Sequence, residues 1–228
     1  DRALLFFDVH GVMLWTREVL EPALPRLLML ESAKEDLKES CVQALREVST
    51  ELSSTSSTLR NSVLNQIISQ CVAQLAPARA IPALYCMTGR AMPTSPSLFV
   101  GELLRPLRTF LTDFDAQLTP HSRQDWSRDT ATALSKNYAQ LASGMLDTVR
   151  KNEDAIRRYG SKKQAIDNGE SPPERDSDKV CVQLFLDVEA YGSQLNDLGV
   201  STELLAEYIT LVDVVRPDQT LLQRLVQG

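Results

Sequence analysis

Few residues in this chain are equipped for chemistry, and their spacing does little to gather them. The chain has two histidines, and the first, His10, lies in "DVHG" at 8–11, two places after Asp8. A carboxylate and an imidazole together could hold a metal or move a proton. On a helix, however, residues two apart point in different directions, so joint ligation would need irregular backbone. The other histidine is His121, so no His cluster can form within the chain. The four cysteines, Cys41, Cys71, Cys86 and Cys181, lie far apart with no C-x-x-C or zinc-ligand spacing. Cys41 and Cys71 fall on apolar helical faces and read as buried free thiols of a reducing compartment. The G-x-S-x-G, H-E-x-x-H, Walker and G-x-G-x-x-G patterns are all missing. Carboxylates are numerous, but nothing in the sequence sets two of them across a cleft as an acid–base pair. The chain therefore reads as a non-enzyme, with no catalytic residue, no cofactor site and no metal ligand assigned.

Two polar stretches remain. "MTGRAMPTSPSLFVGELLRPL", 87–107, holds Thr88-Gly89-Arg90, which could pose as a phosphate nest. Helix punctuation explains more of its residues. Gly89 ends the turn "IPALYC" and Pro93 prevents continuation. Ser95 is expected as N-cap of a helix over 97–111, with Pro96 in its first turn and Pro106 ending or kinking it. The second stretch, "VRKNEDAIRRYGSKK" at 149–163, gathers Arg150, Lys151, Arg157, Arg158, Lys162 and Lys163. Cations there complement the negative end of a helix dipole; the functional reading is a patch for an anionic lipid surface or an acidic partner. Ser95-Pro96 and Ser171-Pro172 are candidate proline-directed phosphorylation sites.

The elements that carry these residues are helices. Residues 3–20 form a broad apolar surface and read as a buried helix, which Pro22 and Pro25 end while opening the next one, Pro being well tolerated in a first turn. From Leu27 to Leu52, apolar residues recur in steps of three and four, the helical period. "SSTSST" at 53–58 is expected to break the chain and cap the next helix, which runs to Pro77. The longest stripe is Ala131, Leu134, Tyr138, Leu141, Met145, Val149, Ile156 and Tyr159. Residues 160–178 lose periodicity and read as a flexible insert. Helix resumes at Val180 and ends at Gly199, a natural left-handed cap; a short helix capped by Ser201 follows, and a last turn closes the chain. The domain division expected is 1–80, helices leading into a C-terminal bundle, and 81–228, the C-terminal helical domain. Phe6, Phe7 and Trp15 exceed what one core face needs and are expected to contact a preceding bundle, the chain reading as a piece of something longer.

Bulk properties agree with an all-α protein. Aromatic residues make up 6% of the 228, and Val-Ile-Thr alternation is scarce. Net charge is −6, which argues against a nucleic-acid groove as the main function. The apolar opening is too short, and too broken by Asp8, His10 and Gly11, to span a bilayer.

At "IPALYCMTGRAMPTSPSLFVGELLRPL" the sequence resembles a known family, the C-terminal region of the second subunit of the conserved oligomeric Golgi complex. The likeness resumes at "LSKNYAQLASGMLDTVRKNEDAIRRY" and again at "SDKVCVQLFLDVEAYGSQLNDLGV", three blocks in the family's order. Phe99 stands where the family pattern has Tyr. The resemblance implies an elongated helical bundle of the multisubunit-tether type (CATCHR, helical rod). It implies a non-enzymatic subunit of a vesicle tether in intra-Golgi retrograde transport, peripheral on the cytosolic face of Golgi membranes. Expected partners are the first, third and fourth subunits of the same lobe, with SNAREs, Rab GTPases and golgins, and no cofactor. The alternative from the residues alone is an all-α lipid- or small-molecule-binding module, or an enzyme, using an interhelical pocket.

Overall fold

A computed structural model describes residues 2–30, 35–160, 175–219 and 221, and every element among them is helical. The chain divides into two compact units, Asp1–Gln66 and Ile67–Gly228. The division falls inside a helix rather than at residue 80, because Ile67, Cys71, Leu75 and Ala78 are buried in the second unit.

In the first unit, α1 (Arg2–Trp15) passes through a wider π turn, Thr16–Leu20, into α2 (Glu21–Leu30). The Thr16 hydroxyl donates to the Val12 carbonyl at 2.9 Å, where the regular ladder gives way. Pro22 sits in the first turn of α2, as expected, where its missing N–H is harmless, but the π turn carries α1 into α2 with no break between them. Helix α3 (Glu35–Ala73) then runs unbroken for 39 residues, straight through the expected break at 53–58. Hydroxyls that compete with a helix from a cap can instead bond backward within one. Thr50 and Thr58 donate to the carbonyls of Arg46 and Ser54, and Ser56 is buried against α1. Arg2 bonds Ser62 and His10 bonds Ser56, so α1 and α3 run antiparallel.

The core of the second unit is a three-helix bundle of α6 (Pro120–Gly160), α7 (Asp176–Asp197) and α8 (Ala206–Val215). Tyr191 of α7 reaches Ser135 and Ala131 of α6, while Ser177 reaches Glu153, which sets these two helices antiparallel. Cys181 bonds the Val215 carbonyl and Tyr208 bonds that of Val188, so α8 runs antiparallel to α7. Trp126, Leu134, Tyr138, Leu146, Val180, Leu184, Val188, Tyr191 and Leu211 fill the interior. The periodic stripe of α6 is buried at Ala131, Leu134, Tyr138, Met145 and Val149, but Leu141 is half-buried, Ile156 is exposed, and the Tyr159 side chain lies outside the described residues.

Helix α7 is buried almost all round, as a central helix must be. It ends as expected at Gly199 (φ 75°), where the N–H of Val200 bonds the Leu195 carbonyl at 3.0 Å. Ser201 opens only a 3₁₀ turn, Thr202–Leu204, and α8 starts later, at Ala206. Helix α4 (Ile81–Tyr85) and helix α5 (Arg105–Asp113) flank an extended segment and a 3₁₀ turn at Leu98–Glu102. Pro106 opens α5 and does not close an earlier helix. The 161–174 part of the expected insert lies outside the described residues.

Candidate functional site

The chemistry-bearing pair of the N-terminus does not assemble. His10 Nδ1 lies 3.1 Å from the buried Ser56 Oγ, and its ring stacks on Phe6 at 5.3 Å. Asp8 is exposed. Burial lowers the His10 pKa, which favours the neutral ring. A serine and a histidine in contact suggest a nucleophile and base, but Ser56 sits mid-helix, where backbone N–H groups are already bonded and no oxyanion site is offered. Among the described residues no three metal-ligating side chains come together. All four cysteines are free; Cys71 and Cys181 are buried, and burial pushes each thiol up to about 11.

The polar organisation that matters lies on one stripe of α7. Asp176, Lys179, Gln183, Asp187 and Gln194 follow one another in steps of three, four, four and seven, the helical repeat. Across them runs the segment Met87–Val100. Asp176 Oδ2 accepts from the Met87 N–H at 2.8 Å, and Lys179 Nζ donates to the Arg90 carbonyl at 2.6 Å. Gln183 donates to the Ser95 carbonyl at 3.0 Å and accepts from the Tyr85 hydroxyl at 2.7 Å. Asp187 takes both the N–H and the hydroxyl of Ser97, at 2.6 and 2.9 Å. Gln194 donates to the Val100 carbonyl at 2.9 Å and accepts from Arg108.

These bonds hold the segment as a strap. A chain that is neither helix nor strand must satisfy its backbone elsewhere, and α7 supplies the partners. Ser97, not Ser95, occupies the position before the 3₁₀ turn, and its hydroxyl goes to Asp187 rather than to a cap. Thr88-Gly89-Arg90 makes no nest: the Thr88 hydroxyl turns back to the carbonyls of Leu84 and Tyr85. Asp187 is fully buried, and burial raises its pKa, opposed in part by the bonds from Ser97 and Gln183. Tyr138, buried in the same core, keeps a hydroxyl with no protein partner among the described residues. The sequence reading missed the stripe, although its polar residues at helical spacing stand in plain view inside an apolar helix.

The strap exposes what it does not bond. Met87, in a left-handed conformation (φ 59°), is 84% exposed and Leu98 is 97% exposed. Thr94, Ser95 and Pro96 are also on the surface.

The remaining expected contacts separate. Phe6 is buried on the α3-facing side of α1 and Phe7 is half-buried, so Phe6 is not available to an outside partner. Trp15 is 54% exposed, on the opposite side of α1 with Leu4, Leu5 and Val12. Arg150, Lys151, Arg157 and Arg158 are exposed on α6, interleaved with Asp147, Glu153 and Asp154. Glu153 faces inward and accepts from the Ser177 N–H and hydroxyl, closing the start of α7. Lys162 and Lys163 lie outside the described residues. Between α7 and α8 an open groove of about 450 Å³ is lined by residues that include Glu189, Asn196, Glu203, Ile209 and Arg216. It is a furrow between two helices and lends no support to an enzyme or to a small-molecule module.

Against known proteins, the family model described as "COG complex component, COG2, C-terminal" matches residues 3–188. Conserved oligomeric Golgi complex subunit 2 of Drosophila melanogaster is 30% identical over 139 residues, covering 59% of this chain and 20% of that protein. The human protein of that name is 29% identical over 144 residues (62% and 20%), and the Arabidopsis thaliana one 29% over 149 (61% and 19%). The chain thus matches about a fifth of the length of these curated relatives. No solved structure matches.

Proposed function

The chain belongs to the COG2 C-terminal family, and from that membership we propose that it works as a non-enzymatic helical scaffold within a Golgi vesicle-tethering complex. The observation that carries the reading is the family match across residues 3–188, over an all-helical fold. In this reading, helix faces dock on other subunits, and the assembled tether holds a vesicle near its target, raising the effective concentration of fusion proteins. The partners are the first, third and fourth subunits, with SNAREs, Rab GTPases and golgins acting on the assembly. The complex is peripheral on the cytosolic face of Golgi membranes; no helix among the described residues is long and apolar enough to cross one.

Within the chain, the outer side of α1 (Leu4, Leu5, Val12, Trp15) is the contact for a preceding helical bundle. Leu5 and Val12 are seven residues apart, as are Leu4 and Gly11, the repeat of a helix–helix seam. Arg150, Lys151, Arg157 and Arg158 form a weaker candidate surface for an acidic partner or anionic lipid, because acidic side chains share their turns.

Co-expression of the full-length protein with the first, third and fourth subunits tests the reading. Co-elution as one species is expected. A full-length protein that elutes alone, with the other three assembled without it, would overturn it.

A further inference from the structure

The chain contains three Ser-Pro or Thr-Pro dipeptides, Ser95-Pro96, Thr119-Pro120 and Ser171-Pro172. They are alike in sequence, and the fold separates them. Thr119 caps α6: its hydroxyl accepts from the Ser122 N–H at 3.1 Å, and Pro120 is the first residue of the helix. Ser171 lies outside the described residues. Ser95 is neither helical nor a cap. It sits at a bend in irregular chain, Thr94, Ser95 and Pro96 are all exposed, and the Ser95 hydroxyl makes no hydrogen bond among the described residues. The hydroxyls of Thr88 and Ser97, toward the two ends of the strap, are by contrast engaged.

We propose that Ser95 is the phosphoacceptor of a proline-directed protein kinase, taken from the folded strap and not from an unfolded chain. The backbone around it is anchored on its α7 side: Gln183 donates to the Ser95 carbonyl at 3.0 Å, and Asp187 accepts from the Ser97 N–H at 2.6 Å. The Ser95 and Pro96 side chains are left outward, on a segment ordered before the kinase meets it. A kinase that selects proline reads the missing N–H at the following residue, since any other residue would bring a donor that needs a partner. In the transfer, Ser95 Oγ bonds to the γ-phosphorus of ATP and the bond from that phosphorus to the β-phosphate oxygen breaks. ADP leaves, and the hydroxyl proton passes to the catalytic carboxylate of the kinase.

The charges nearby tolerate the product. Between Cys86 and Gly101 the sole charged residue is Arg90, which is exposed. Burial raises the Tyr85 pKa and the Arg90 charge opposes it, so the guanidinium stands near that phenol. Tyr85 and the Ser95 carbonyl bond the same Gln183 side chain, which puts Arg90 on the acceptor's part of the strap. Asp187 is buried and spends both oxygens on Ser97 and Gln183. A phosphoserine carries about −1.5 to −2 charges at pH 7, so modification turns the strap's own charge from positive to negative.

The test offers ATP and a purified cyclin-dependent or mitogen-activated kinase to the folded full-length protein, with a synthetic peptide of residues 88–101 alongside. Phosphate is expected at Ser95 in both and at Thr119 in neither. Ser95→Ala should abolish that incorporation, and Pro96→Ala should slow it at least about tenfold. An unchanged urea midpoint shows that each variant keeps its fold. Protein purified from growing and dividing cells with phosphatase inhibitors should carry the Ser95 phosphate and lose it to added phosphatase. Native protein left unmodified at Ser95 by these kinases overturns the proposal, whether or not the peptide is accepted. So does a Pro96→Ala variant modified at the wild-type rate, and so does an unmodified Ser95 in the protein from cells, whatever the purified kinases do.

Discussion

Two single residues decide how closely the central helices approach. Gly192 leaves the gap that the Tyr208 ring enters, its hydroxyl donating to the Val188 carbonyl at 3.2 Å. A Cβ at 192 would run into that phenol, 2.7 Å from the ring carbon bearing the hydroxyl. Gly192→Ala should therefore destabilise the second unit by about 1–3 kcal/mol in urea unfolding, despite alanine's better helix propensity. Tyr208→Phe, which keeps the ring and loses the bond, should cost about 1 kcal/mol. Asp187 makes a prediction of the opposite kind. Burial holds its folded-state pKa above the ordinary 3.8, so over that interval the native state binds more protons than the unfolded chain. Stability from this group is then greatest at and below the unfolded pKa, falls as pH rises toward the folded pKa, and is level above it. Asp187→Asn keeps an acceptor for the Ser97 N–H and removes the charge, so it should flatten that slope in urea midpoints measured across the acid range. Tyr85 and Tyr138, its phenolic neighbours, have raised pKa values, chiefly through burial, and stay neutral throughout.

At the scale of elements, the legible part of the sequence was periodicity. The stripes of α6 and α7, from Ala131 to Val149 with only Leu141 half-exposed and from Val180 to Leu195, are buried as their spacing requires. Gly199 ends its helix as a glycine should. What misled was local chemistry whose outcome depends on distant partners. "SSTSST" carries the residues of a break, yet α1 supplies His10 to Ser56, and the other hydroxyls can bond backward or face water. Replacing the exposed Ser53, Thr55 and Ser57 by Ala should stabilise the first unit by a few tenths of a kcal/mol each. Ser56→Ala should instead cost about 1 kcal/mol, since it strands His10; thermal melts by circular dichroism distinguish the two. The strap was illegible for the same reason. Ser95-Pro96 looks like a cap and first turn, and only the fold reveals that Asp187, far along the chain, takes Ser97 for another purpose.

At the scale of the whole chain, each unit carries one of the two tryptophans, and they differ in surroundings. Trp126 is buried against Phe110 at 4.8 Å in the second unit, whereas Trp15 is half in solvent in the first. Acrylamide should quench Trp15 and spare Trp126, so Trp15→Phe should leave a blue-shifted emission that resists quenching. If the outer side of α1 is covered on assembly, quenching of Trp15 should drop in the complex; unchanged quenching there would count against that contact. The division inside α3 was not readable from sequence, because a continuous helix carries no punctuation where its neighbours change. The fold class and the family were, the one from apolar spacing and the other from three ordered blocks.

The bond between Glu153 and the first turn of α7 has one more consequence. It fixes both ends of the 161–174 segment from within the bundle, so the entry and exit of that segment are set independently of what lies between them. The register of α6 on α7 is therefore held at this end by a contact that does not run through residues 161–174, and a fluorescent protein or an affinity handle inserted there is expected to leave the urea midpoint of the second unit unchanged.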